Sequence, residues 1–293
     1  MERYEKLALA DDFQPNSKSL GEMYEPALKE LLDPFPSIPL TAMPQLNSLL
    51  GGFRMREFTI LCAPTGAGKT TLLANWAKSL LADSRRAFVM SVETGATDFV
   101  KRAMSAFLGA DLNTGEKVSK DTLRSFQTNF GKYFTSEGLY LSLYDNRINH
   151  EKVLAEILWH KRFKGCDIVF IDNLNFLLEV VADNRQIEMM DKVVHDLIMF
   201  CKKVDIHIVM VMHPKKTEHG RVESEFDIKG SSTAVQEAHN VLLLNKPKPE
   251  DIKSGSRGAM CREITIRKLR RMGQNVGKSV WVTSEGGRYR EIL

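Results

Sequence analysis

At 293 residues the chain has room for one large hydrophobic core with an extension, or for two small domains, and its composition is that of an ordinary soluble globular protein. A formal net charge of +4 permits an anionic partner without requiring one. Four cysteines (Cys62, Cys166, Cys201, Cys261) stand far apart with no C-x-x-C pair, which argues against a zinc site or a disulfide framework and for buried thiols in a reducing, aqueous compartment.

The opening MERYEKLALADDF has acidic residues and no long apolar stretch, unlike a secretory signal or a transit peptide. Residues 22–32 have a short helical pattern, and DPFPSIPLTAMP after them is a proline-punctuated linker. From residue 57 onward strands and helices alternate. Strands are predicted at 57–62, 87–92, 139–144, 167–172 and 207–212, and helices at 69–82, 98–109, 113–135, 151–163 and about 185–203. A polar loop, a helix near 231–239 and strands at 241–244, 263–269 and 278–284 complete the chain. Several strands are apolar on both faces, so the expected fold class is α/β: a mostly parallel sheet with helices on both sides and an antiparallel C-terminal edge. No apolar run reaches the roughly 18 residues of a membrane span.

The stretch LCAPTGAGKTT leaves a strand and opens a helix, the setting of a phosphate-binding P-loop. Thr65, Gly66, Ala67 and Gly68 would wrap a polyphosphate with backbone amides, Lys69 would reach its outer phosphates, and Thr70, followed by Thr71, would ligate Mg²⁺. Ala63 stands where the strict pattern has glycine; it only has to leave the strand without a positive φ. Such a site needs a carboxylate at a neighbouring strand end, and Asp172 supplies one. The water-activating base does not follow it, because residue 173 is Asn; Glu93, ending the strand at 87–92, is the candidate, and parallel strands bring it to the same rim.

These residues resemble the RecA-like ATPases, and within them the replicative hexameric helicases related to bacterial DnaB, the phage helicase-primases and mitochondrial Twinkle. The resemblance rests on LNSLLGGFRMREFTILCAPTGAGKTTL, SVET, IVFIDNLNFLL, VMVMHPKK and IKGSSTAVQEAHNVLLL, in family order from about residue 40 onward. It implies residues 1–40 as an extension and linker with a helix expected at an interface, and 41–293 as the ATPase domain. About 40 residues are too few for a preceding primase or zinc-binding domain. By position the resemblance gives His213 a phosphate-sensing role, sets Gln236 near a subunit interface and its nucleotide, and makes the loop 213–232 the lining of a ring's channel. That loop carries Lys215, Lys216, Arg221, Gly230, Ser231 and Ser232, which suit contact with a DNA backbone, although Glu218, Glu223, Glu225 and Asp227 dilute its charge.

In the same family a K-x-R pair reaches into the next subunit's nucleotide; Lys268 and Arg270 match it, with Arg270 as the arginine finger and Arg271 as the alternative if the register slips by one. Strand alternation sets Lys268 and Arg270 on one face and Arg267, Leu269 and Arg271 on the other. The implied activity is ATP-driven 5′→3′ translocation on single-stranded DNA by a homo-oligomeric ring, in the cytoplasm of a bacterial or phage-infected cell, alongside a separate primase or loader. A strand-exchange ATPase of the RecA/RadA class, or a DNA-stimulated ATPase module without unwinding activity, shares the same nucleotide site.

Overall fold

A computed structural model describes residues 1–10, 17–32, 34–91, 93–113, 118–143, 149–173, 183–215, 220–228 and 232–292. It divides into two units, Met1–Pro36 and Ser37–Leu293. The first unit contains α1 (Glu2–Ala8) and α2 (Leu20–Leu32), and α2 buries no residue.

In the second unit a two-stranded ribbon, β1 (Ser37–Ile38) with β2 (Phe53–Arg54), brackets α3 (Pro44–Leu50). A larger sheet then takes β3 (Phe58–Cys62), β4 (Ala87–Ser91), β5 (Leu139–Leu141), β6 (Ile168–Asp172), β7 (His207–Met212), β8 (Asn240–Asn245), β9 (Cys261–Leu269), β10 (Ser279–Glu285) and β11 (Arg288–Glu291). Among the described residues its order is β11-β10-β9-β8-β3-β7-β6-β4-β5. Strands β8 to β5 in that order are parallel, and β9, β10 and β11 continue as an antiparallel meander. This is the predicted class, with β11 in addition.

Helices α4 (Lys69–Ala82), α5 (Ala96–Leu108), α6 (Lys120–Thr135), α7 (His150–Trp159), α8 (Asp183–Val204), α9 (Ser232–Glu237) and α10 (Pro249–Lys253) make the connections. The central strands are buried on both faces, as their continuous apolar runs require. On one face Phe58, Ile60, Val169, Ile171, Ile208 and Met210 pack with Val153 and Ile157 of α7 and Val194, Leu197 and Ile198 of α8. On the other, Phe170 stacks on Trp76 of α4, which in turn meets Phe53 edge-on. The helix predicted to end at 163 changes to a π-helical turn at His160–Lys164, where buried His160 stacks on Phe88 at 3.8 Å between ring centres. All four cysteines are buried and unpaired, and no helix among the described residues is long and apolar enough to cross a membrane.

His207 sits beneath Phe53, fully buried, with its Nδ1–H donating to the Arg54 carbonyl (2.6 Å) and its Nε2 accepting from the Thr59 hydroxyl (3.0 Å). Both nitrogens are satisfied by a neutral ring, and burial pushes the pKa from 6.5 down to about 4. The unfolded chain takes up this proton near pH 6.5, whereas the folded one does not until about pH 4. The stabilisation is therefore complete above pH 6.5 and is lost as pH falls through that window. Urea unfolding from pH 7 to pH 4 should show a loss on the order of 3 kcal/mol from this group, and His207→Gln should flatten that part of the profile.

Candidate functional site

Parallel pairing aligns Cys62 with Met212 and Ser91 with Asp172, so the segments leaving β3, β4, β6 and β7 all emerge at one edge of the sheet. The predicted phosphate loop leaves β3 there and enters α4. Gly66 and Gly68 have φ of +70° and +98°, conformations that a Cβ disfavours. At Gly68 a Cβ would lie 2.1 Å from the Tyr289 hydroxyl. Ala63 is fully buried, and its N–H donates to the Met212 carbonyl at 3.3 Å. It therefore continues the strand ladder, and the missing glycine costs the loop nothing. Thr65 and Gly66 form the exposed tip, Ala67 is buried, and Thr71 is half-buried in the first turn of α4.

Lys69 is almost entirely buried, its Nζ donating to the carbonyls of Ala63 (3.3 Å) and Pro64 (3.1 Å). Burial lowers its pKa, and the nearby Glu93 and Asp172 carboxylates oppose that shift. Thr70 Oγ1 donates to Asp172 Oδ2 at 2.7 Å. Asp172 has no exposed surface, and its Oδ1 has no hydrogen-bond partner among the described residues. Burial raises this carboxyl's pKa, with the Thr70 hydrogen bond pulling the other way. A buried carboxylate oxygen left unsatisfied beside a threonine hydroxyl is a donor set that fits a hard divalent cation. No group of three or more His, Cys, Asp or Glu among the described residues forms a metal cage alone. Such a cation would therefore complete its shell with phosphate and water.

The base candidate lies beside this pair. Glu93 is exposed, and its Oε2 accepts from Asn173 Nδ2 at 2.8 Å while His213 Nε2 stands 3.5 Å away. Three strand ends thus converge on one carboxylate, which stays open to water.

The predicted cations lie at the other edge of the sheet. Asn240, where β8 starts, pairs with Thr59 and with Leu269, so α9 and the end of β9 flank the amino ends of the parallel strands. There Lys268 Nζ donates to the Val235 carbonyl (3.0 Å) and the Gln236 carbonyl, and Arg270 Nη2 to the carbonyls of Gln236 (2.9 Å) and Glu237 (3.0 Å). Lys268 and Arg270 do share a side, as alternation requires. Arg267 does not lie opposite them, because a bulge between Val241 and Leu242 shifts the register and brings Arg267 beside Lys268. The two line a cavity of about 310 Å³ with Glu225, Phe226, Val235 and Gln236. Arg271, the alternative finger, instead forms an ion pair with the buried Glu57 at 3.0 Å. Gln236 is exposed and is not brought to the phosphate loop of its own chain, since α9 ends at the opposite edge.

Of the predicted DNA contacts, Lys215 is exposed, with Nζ on the Phe226 carbonyl at 2.9 Å. Arg221 corrects the expectation. It is buried, paired with Glu263 (2.8 Å) and Glu223 (3.1 Å), and also donates to the Lys246 carbonyl, so it cannot reach a nucleic acid. Lys216, Gly230, Ser231 and the Ser232 side chain lie outside the described residues. Two groups at the site carry no local sequence signal: Arg262 Nε donates to Ala67 O at 2.8 Å and the Tyr289 hydroxyl to Gly68 O at 3.4 Å, across 195 and 221 positions. Asn173 could have been found from its place directly after Asp172.

Comparison with known proteins places the chain in a family. A family model described as the DnaB-like helicase C-terminal domain matches residues 40–286. The chain is 21% identical over 221 residues to a DNA helicase/primase of Enterobacteria phage T3, an alignment covering 71% of this chain and 38% of the relative. It is 25% identical over 222 residues to the replicative DNA helicase DnaB of Helicobacter pylori, covering 71% and 44%. The chain thus spans less than half the length of these curated relatives. A solved structure of a DnaB-like replicative helicase, described with its interactions with primase, superposes with a TM-score of 0.78 at 17% identity, covering all of this chain and 71% of that one. The fold is therefore RecA-like.

Since Arg221 is buried among its carboxylate partners, Arg221→Ala should lower the unfolding free energy by about 3–5 kcal/mol. Urea titration measures that loss, and an exposed loop arginine would show almost none.

Proposed function

Because the chain belongs to the family of DnaB-like helicase C-terminal domains, we propose that it is the ATP-hydrolysing motor of a replicative DNA helicase. Copies of it assemble into a ring, hexameric as the resemblance implies, around single-stranded DNA. The observation that carries this reading is the division of one nucleotide site between two edges of one chain. The phosphate loop, Thr70–Asp172 and Glu93 occupy the carboxyl edge. Lys268 and Arg270 occupy the amino edge, out of reach of that loop. Only a neighbouring copy can bring the two sets together. The helicase family match over residues 40–286 supports unwinding over strand exchange, which the shared nucleotide site alone does not distinguish.

The roles follow from the positions. Loop amides and Lys69 take the phosphates of ATP, the Lys69 ammonium exchanging its two loop carbonyls for phosphate oxygens. Thr70 and Asp172 would hold Mg²⁺, which would offset the charge of the phosphates. Glu93, oriented by Asn173, orients the attacking water, and His213 beside it feels the loss of the outer phosphate. Arg270 of the adjacent copy, assisted by its Lys268, stabilises charge in the transition state. Lys215, on the loop leaving β7 at the carboxyl edge, contacts the phosphates of the single strand.

Arg270→Ala should slow hydrolysis by about 10³–10⁵ while the chain still binds ATP. Mixing inactive Arg270→Ala with inactive Lys69→Ala chains should restore turnover, because a Lys69→Ala copy lends its finger to an intact phosphate loop. Mixed assemblies that stay inactive would exclude the shared site. For DNA, Lys215→Ala should reduce the slope of log affinity against log salt by about 0.7, the contribution of one phosphate contact on a single strand.

A further inference from the structure

We propose that Arg262 and Tyr289, from the C-terminal antiparallel strands, are positioning residues for the nucleotide that aim the amide donors of the phosphate loop from behind. The inference rests on reading residues 63–70 as a phosphate loop.

In a trans peptide the carbonyl and the following N–H point in opposite directions. Arg262 Nε holds the Ala67 carbonyl at 2.8 Å, so the Gly68 N–H is turned away from β9. The Gly68 carbonyl accepts from the Leu72 N–H (2.9 Å) and from the Tyr289 hydroxyl (3.4 Å), which turns the Lys69 N–H the same way. These N–H groups open α4 and lack intrahelical partners, so their direction determines how an anion is received. The charge on Arg262 also polarises the Ala67–Gly68 peptide and strengthens its N–H as a donor.

Both side chains are themselves fixed. Arg262 Nη1 donates to the carbonyls of Ala259 (2.9 Å) and Cys261 (2.6 Å). Tyr289 is buried, its hydroxyl occupying the space a Cβ on residue 68 would need. Its backbone N–H donates to Asn75 Oδ1 (2.9 Å), and Asn75 Nδ2 donates to the carbonyls of Thr71 (2.8 Å) and Gly287 (2.9 Å). The meander is therefore anchored to α4 one turn beyond the loop that it supports.

The test uses the full chain, with a fluorescent ATP analogue for binding and steady-state hydrolysis for turnover. Arg262→Gln should weaken binding about tenfold and raise KM in proportion, with kcat within about twofold, and Tyr289→Phe should weaken binding about threefold. Arg290→Gln is the control: it lies on the same strand as Tyr289 but pairs with Glu285 at the surface, and it should bind like the parent. Thermal midpoints within a few degrees of the parent separate positioning from folding. Should Arg262→Gln fail to fold, Tyr289→Phe, which loses one hydroxyl, decides alone. Parent-like binding by Arg262→Gln and Tyr289→Phe overturns the inference, as does an equal loss in Arg290→Gln. A parent chain that binds no nucleotide overturns the phosphate-loop reading and this inference with it.

Discussion

Asp172 is a carboxylate placed at the end of a fully buried strand, with one oxygen on the Thr70 hydroxyl and the other without a partner among the described residues. Burying a charge with half its bonding capacity unmet is costly, and a chain selected only for stability would replace it. Here the local environment mitigates the cost without removing it. Lys69 and Arg102 supply positive potential, Thr70 one hydrogen bond, and burial still holds the carboxyl's pKa above its ordinary range. A hard divalent cation fits this environment. The parallel register that brings Asp172 level with Ser91 also brings Glu93 within reach of Asn173, so the proposed metal site and the proposed base depend on the same strand pairing.

That pairing also separates the two groups of residues proposed to act on one nucleotide. In a parallel sheet every strand presents its carboxyl end to the same edge, so groups on the loops leaving β3, β4, β6 and β7 gather there without further design. The antiparallel β9 runs the other way and delivers Lys268 and Arg270 to the amino edge. Both cations rest on the last carbonyls of α9, where a helix end welcomes positive charge. Both side chains are thus fixed in position at that edge.

The sequence was most legible where a pattern is local. The helix at 69–82 and the strand at 207–212 match to the residue, because apolar spacing, and for the helix Gly68 before it, determine them without distant help. Of the strand expected over 139–144, Leu139–Leu141 forms, paired among the described residues with β4. Residues 288–291 carry no strand expectation, and form β11 through pairing with β10 and the burial of Tyr289. Lys69, Thr70, Asp172, Glu93 and His213, expected to share one rim, do lie together there, because each ends or follows a strand or opens a helix. Arg221 misled because a cation in a polar loop reads as solvated, and its partner Glu263 is 42 positions away. Arg267 misled for a related reason: it is the extra residue of a bulge in β9 opposite Val241 and Leu242 of β8, which alternation within its own segment does not show.

Strand β9 connects these observations. Arg262, near one end, holds the phosphate loop of its own chain, and Lys268, near the other, stands at the edge where a neighbour's nucleotide would lie. At about 3.3 Å per residue the nine residues of β9 span roughly 25–30 Å, the distance from one edge of the sheet to the other. A strand hydrogen-bonded on both sides does not stretch, so a shift of the phosphate loop that pulls on Arg262 has few places to be absorbed. It can move Lys268 and Arg270 on the carbonyls of α9, or it can be taken up in the bulge at Arg267, where the ladder is already interrupted. The bulge and the α9 carbonyls are thus the two points on this path that no regular ladder holds.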